Sequence, residues 1–243
     1  MAAKTQIIVA LDFDNLNEVL DTIKRLKGLV KYFKIGKELF TAYGPKSVEI
    51  VLKQEAKVFL DLKFHDIPNT VANACLSALK LGVSMINMHA SGGKAMMQIA
   101  AEKVSETCTK NGIDRPLLLG VTVLTSLNDE ILQKEVRISH TVSDQVVHLA
   151  KLCRSAGLDG IVCSPLEIEI VRKTCGDNFV LVAPGIRPAW SSKNDQKRIT
   201  TPAEAVRLGA DYIVIGRPVT TAENPIEAVK KILDEMENRS HAD

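Results

Sequence analysis

The sequence predicts an α/β chain folded as one (β/α)8 barrel, a TIM barrel, with residues 1–243 as a single domain. Three observations predict it. Short apolar runs rich in β-branched residues alternate with longer amphipathic segments eight times in 243 residues, the count and size of such a barrel. The first run ends in Leu11-Asp12-Phe13-Asp14 with no glycine, whereas a doubly wound sheet usually stops at about five or six strands and carries a glycine-rich turn at this point. Polar residues also gather at the ends of the runs, where a barrel collects its βα loops. Internal repeats, low-complexity tracts and linkers are absent from the sequence.

Taken in order, Gln6 to Asp12 reads as the first strand, and Leu16, Val19, Leu20, Ile23 and Leu26 recur at helical spacing after it. Tyr32 to Lys37 is the second strand, followed by a helical stretch through Gly44-Pro45 to about Ala56. Lys57 to Lys63 is the third, with a helix from Asn69 to Leu81. Met85 to Ala90 is the fourth, and Gly92-Gly93 opens a helix to about Cys108. Pro116 to Leu124 is the fifth, with helical pieces at Asp129 to Glu135 and Val142 to Ala156. Gly160 to Ser164 and Leu166 to Thr174 form the sixth unit, Phe179 to Pro184 and Pro202 to Leu208 the seventh, Tyr212 to Gly216 and Ile226 to Met236 the eighth. The polar tail from Glu237 to Asp243 is expected to fray.

The net charge of +2 gives no field that would select nucleic acid or an anionic membrane as a partner. Five cysteines, Cys75, Cys108, Cys153, Cys163 and Cys175, show no Cys-x-x-Cys spacing and mostly sit in apolar runs, as reduced core thiols do. No apolar run approaches the ~18 residues of a membrane span, and the N-terminus lacks a signal layout, so the expected location is cytoplasmic.

If the chain is a barrel, the polar residues at the strand ends should form one chemistry: Asp12, Lys34, Lys37, Asp61, Lys63, Asp66, His89, Thr125, Ser126, Ser164, Arg187 and Arg217. The third strand carries the densest group. By strand alternation Phe59, Asp61 and Lys63 share a face, and a carboxylate beside an ammonium in an apolar run costs several kcal/mol per ion unless the two are paired. Lys34 either snorkels to the rim or approaches Asp61 and Lys63 from the neighbouring strand. Asp12 either caps the first helix or accepts from a sugar hydroxyl at the mouth.

Gly185-Ile-Arg187-Pro and Gly216-Arg217-Pro follow the seventh and eighth strands, where barrels commonly hold a phosphate. Between Arg187 and Thr201 runs a polar segment, longer than the ~2–6 residues usual for a βα loop, which reads as a lid or a disordered loop. Within it Gln196 either donates to a phosphate or stays solvated. His65 and His89 lack metal-ligand spacing, and His65 reads as a supporting group rather than a base.

Asp61-Leu-Lys63-Phe-His-Asp66-Ile-Pro-Asn-Thr70, Val-Thr-Val-Leu-Thr125-Ser126, Ala-Pro-Gly-Ile-Arg187-Pro, Asp-Gln196-Lys-Arg and Ile-Gly216-Arg217-Pro-Val-Thr together resemble the orotidine 5′-phosphate decarboxylase family, of the bacterial single-domain kind, over essentially the whole chain. The resemblance implies conversion of orotidine 5′-monophosphate (OMP) to uridine 5′-monophosphate (UMP) and CO2 by a homodimer without cofactor or metal. It further implies that Lys63 donates a proton to C6, with Lys34, Asp61 and Asp66 completing a charged network. Asp66 and Thr70 would reach the partner's site, Asp12 and Lys34 the ribose, Thr125 and Ser126 the pyrimidine, and Arg187, Gln196, Gly216 and Arg217 the phosphate.

The chemistry accords with that set. Loss of CO2 from C6 leaves an in-plane electron pair that the ring cannot delocalise, so a fixed cation must stabilise it. Burial disfavours the Lys63 ammonium and flanking carboxylates favour it, so Asp61 and Asp66 would keep it charged, the four groups acting as one coupled unit. Two rivals stand beside this reading: a sugar-phosphate barrel in which Asp-x-Lys-x-x-Asp serves a magnesium-bound enediolate, and a non-catalytic ligand-binding barrel.

Overall fold

In the computed structural model, which describes residues 5–191 and 200–237, eight parallel strands close into a barrel in sequence order. They are β1 (Gln6–Ala10), β2 (Tyr32–Ile35), β3 (Lys57–Phe64), β4 (Met85–His89), β5 (Leu117–Val121), β6 (Gly160–Val162), β7 (Val180–Ala183) and β8 (Tyr212–Ile215). Closure is made by β1 against β8, in register from Gln6 opposite Tyr212 to Val9 opposite Ile215. The helices are α1 (Leu16–Leu26), α2 (Lys37–Tyr43), α3 (Pro45–Leu52), α4 (Pro68–Lys80), α5 (Lys94–Asn111), α6 (Asp129–Lys134), α7 (Val142–Ser155), α8 (Ile168–Cys175), α9 (Pro202–Leu208), α10 (Arg217–Thr220) and α11 (Pro225–Glu237).

The strands read as continuous apolar runs because both of their faces are buried. Alternate residues point inward, and Ile8, Ala10, Tyr32, Phe59, Met85, Leu119, Val121, Val162, Val182 and Val214 fill the barrel. The residues between them, such as Val9, Phe33, Leu60, Ile86 and Leu118, pack outward against the helices. α1 shows how a helix meets that layer. Val19, Ile23 and Leu26 bury one stripe, Asn15 caps the start by accepting from the Asn17 N–H at 2.8 Å, and Glu18 early with Lys24 and Arg25 late suits the helix dipole.

Departures from the sequence reading have local causes. The helical stretch expected to run to about Ala56 is broken at Gly44, whose φ of 53° ends α2, and Pro45 then starts α3 at its favoured first position. The strands other than β3 end one to three residues earlier than expected, since their last residues leave the ladder for the loops of the barrel mouth. α10 was not anticipated. It is a single turn directly after β8. The lid segment lies outside the described residues from 192 to 199, and the tail from 238 onward.

Candidate active site

Asp61 stands at the centre of the mouth. It is 9% exposed, and its carboxylate meets two cations and an amide. Oδ1 accepts from Lys63 Nζ at 2.6 Å and from Asn87 Nδ2 at 2.6 Å, while Oδ2 faces Lys34 Nζ at 3.7 Å. Lys34 in turn donates to Asp12 Oδ1 at 2.9 Å. Four adjacent strand ends, β1 to β4, therefore contribute to one chain of contacts, Asp12–Lys34–Asp61–Lys63, with Asn87 beneath it. Such an arrangement meets the requirement that buried ions be paired and hydrogen-bonded.

Two alternatives left open by the sequence are decided here. Lys34 does not snorkel: its side chain is 12% exposed and held between two carboxylates. Asp12 does not cap α1, because Asn15 does. Its carboxylate, half exposed, is left to Lys34 and the open mouth.

Asp61 and Lys63 meet as expected, but simple alternation is not the reason. The pairing of β3 with β4 runs from Leu60 opposite Ile86 to Phe64 opposite Met88, so residues 60 to 64 span the same ladder as 86 to 88. The extra length is taken up in an irregularity at Lys63, whose φ of 54° is left-handed. Nothing in Asp-Leu-Lys-Phe signals this turn.

The phosphate-type loops adjoin the network. A Cβ on Gly216 would lie 3.5 Å from Ala10 Cβ and 3.7 Å from Asp12 Oδ2, so the end of β8 borders the Asp12 carboxylate. Gly36 is tighter, since a Cβ there would come within 2.9 Å of Lys34 Nζ and the ammonium would have to shift. Arg217 opens α10 and is exposed, while Arg187 is buried and its backbone N–H donates to Thr200 O at 2.9 Å. Gln196 lies outside the described residues. Thr125, half-buried, and Ser126, exposed, occupy the turn after β5.

Asp66 is not brought to Lys63 within the chain. It is exposed, and its Oδ1 accepts from the adjoining Ile67 N–H at 2.6 Å. Thr70 is exposed on the first turn of α4, and Ile67 between them is 68% exposed. Ser164 is buried and caps the turn after β6, accepting from the Leu166 N–H at 3.3 Å. The His89 ring lies 5.6 Å from the His65 ring, centroid to centroid, tilted by 43°. Burial first, then the neighbouring His65, Lys37 and Lys63, hold His89 below the usual imidazole range against the opposing pull of Asp61. Among the described residues no group of three or more His, Cys, Asp or Glu side chains is gathered as a metal ion would require.

All five cysteines are buried and unbridged, and burial pushes the Cys75 and Cys153 thiols up to about 12. The residue that sequence reasoning missed is Asn87. Its signal was present: a single amide among the apolar residues Met85, Ile86 and Met88 of Met-Ile-Asn-Met-His.

The chain is similar to known proteins over nearly its whole length. The family model described as "Orotidine 5'-phosphate decarboxylase / HUMPS family" matches residues 5–232. A protein of Trichlorobacter lovleyi named orotidine 5′-phosphate decarboxylase is 53% identical over 234 residues, 96% of each chain. One of the same name from Moorella thermoacetica is 51% identical over 237 residues, 98% of this chain and 94% of that one. The crystal structure of orotidine 5′-phosphate decarboxylase from Lactobacillus acidophilus superposes with a TM-score of 0.84 at 38% identity, covering 96% of this chain and 99% of the other.

Proposed function

The chain belongs to the orotidine 5′-phosphate decarboxylase / HUMPS family, and from that premise we propose how its barrel mouth converts OMP to UMP and CO2. The chain is a carboxy-lyase of pyrimidine nucleotide synthesis. The observation that carries the mechanism is the Lys63 ammonium held 2.6 Å from the buried Asp61 carboxylate at the barrel mouth.

The C6–carboxylate bond breaks, its electron pair stays on C6, and CO2 leaves. Lys63 stabilises that pair as a fixed cation and then transfers one proton to it, giving UMP; water reprotonates the amine. A preorganised charge needs no solvent reorganisation as the carbanion forms, and stabilisation of this kind usually contributes more to catalysis than any other effect. Asp61 aims the ammonium, and Lys34 links Asp61 to Asp12, which faces the ribose. Thr125 and Ser126 contact the pyrimidine. Gly216, Arg217, Arg187 and Gln196 hold the phosphate, remote from C6, so that its binding energy serves to align the ring.

The working unit is a homodimer in the cytoplasm, each subunit one catalytic domain over residues 1–243. Asp66 and Thr70 enter the partner's site, which fits their exposure and the open apolar Ile67 between them. Among the described residues no helix is long and apolar enough to cross a membrane. The reaction needs no cofactor or metal. Against the magnesium-enediolate rival, the acceptor positions of Asp61 are already engaged by Lys63, Asn87 and Lys34, and a divalent cation there would have to displace an ammonium.

The test is to add OMP with and without EDTA and follow loss of its absorbance. Equal rates are expected. Abolition by the chelator would favour the sugar-phosphate reading, and no reaction in either arm would overturn the assignment.

A further inference from the structure

The structure assigns to Asn87, buried at 0% exposure in the middle of β4, the role of a positioning residue for the reaction: it sets the backbone and the side chain of the Lys63–Asp61 pair at once. This rests on the reading of Lys63 as the proton donor. The amide uses both of its ends on the pair. Oδ1 accepts the Lys63 backbone N–H at 2.8 Å, and Nδ2 donates to Asp61 Oδ1 at 2.6 Å, the same oxygen that takes Lys63 Nζ.

Each bond answers a need that β3 creates for itself. Between Leu60 and Phe64 the ladder to β4 is interrupted, so the Lys63 N–H faces β4 without a regular strand partner. A left-handed φ on a lysine is a sterically strained conformation that must be held by its surroundings. The Asn87 carbonyl supplies the missing acceptor and holds the turn. The turn in turn points the Lys63 side chain back at Asp61, two residues earlier. The Asn87 N–H then fixes the rotation of the Asp61 carboxylate, which decides where the ammonium sits. No other uncharged side chain donates to Asp61 among the described residues.

An amide suits this place because it offers one acceptor and one donor without charge. A carboxylate there would accept from the Lys63 N–H but repel Asp61. A group acting through orientation should govern kcat far more than binding, as a shift of about 1 Å at a reacting group costs on the order of 10²-fold in rate.

The experiment compares Asn87→Ala and Asn87→Asp with the parent, measuring kcat and KM for OMP, UMP affinity and the pH dependence of kcat. Asn87→Ala is expected to lower kcat roughly 30- to 300-fold while KM and UMP affinity stay within about 3-fold. Asn87→Asp can donate to Asp61 only when its new carboxyl is protonated, and burial beside the Asp61 carboxylate raises that carboxyl above the usual Asp value of about 3.9, so its rate relative to the parent rises from about pH 8 to about pH 5, and that of Asn87→Ala does not. Undiminished kcat, or a fall in UMP affinity that keeps step with kcat, would overturn the proposal, as would identical pH ratios for the two variants. If Asn87→Ala does not fold, Asn87→Ser is read by the same kcat-against-KM split. Failure of the parent to turn over OMP would instead overturn the functional reading, a result distinct from any of these.

Discussion

Lys63 concentrates at one residue what the mouth must achieve. Its backbone is left-handed, its ammonium is 2.6 Å from Asp61, and a neighbouring strand holds both. The sequence makes the pair visible, because two charges in an apolar run demand partners, and it makes Lys34 visible for the same reason. The φ of Lys63 is invisible to it, since a left-handed turn is normally signalled by glycine or asparagine and here tertiary contacts impose it on a lysine. Arg217 is a residue whose effect should be simple. It sits on the first turn after β8, beside Gly216 and the Asp12 end of the network. If it holds the phosphate, Arg217→Ala loses a charge-assisted contact of about 1.5–3 kcal/mol, so steady-state kinetics should show kcat/KM for OMP down roughly 10- to 100-fold, mainly through KM. Unchanged kinetics would remove Arg217 from the phosphate site.

Among the elements, the strands divide function from stability along their length. Their C-terminal ends carry the charged network, while two ion-pair clamps grip the opposite end. Asp159, before β6, takes Arg115 at 2.6 Å and the Leu118 N–H of β5 at 2.7 Å. Asp211, before β8, repeats the pattern with Arg172 at 2.8 Å and the Leu181 N–H of β7 at 2.7 Å. Arg172 also donates to the carbonyls of Gly176, Asp177, Phe179 and Gly209, tying the α8–β7 and α9–β8 loops together. Arg172→Ala should cost about 2–4 kcal/mol by leaving these groups unmet, a Tm fall of roughly 5–15 °C for a chain of this length by calorimetry, with kcat at 25 °C nearly unchanged. Strand and helix order was legible from periodicity alone, because each element must bury one face. The clamps were not. Their partners lie 39 and 44 residues apart and are brought together only when the barrel closes.

For the molecule as a whole, the open question of assembly turns on Asp66. The family resemblance implies that it belongs to the network, and within one chain its carboxylate instead meets only the adjoining Ile67 N–H at 2.6 Å among the hydrogen bonds of the described residues. If a second copy supplies Asp66 across a two-fold axis, as proposed above, the two agree. Lys63→Ala and Asp66→Ala variants, each inactive alone, should regain activity when unfolded together and refolded. One site of each mixed dimer then has both residues, giving up to about a quarter of the parent rate. No recovery above the separate variants would place Asp66 within its own chain's site or outside the chemistry.

The central claim is that Lys63 is the cation that stabilises C6 and the acid that protonates it, and it is tested most directly by turnover and UMP binding in Lys63→Ala. The expected result is a kcat lower by more than roughly 10⁴-fold, since electrostatic stabilisation and proton transfer are lost together, while UMP still binds within about 10-fold of the parent. Appreciable residual decarboxylation in that variant, with the fold intact by circular dichroism, would contradict it.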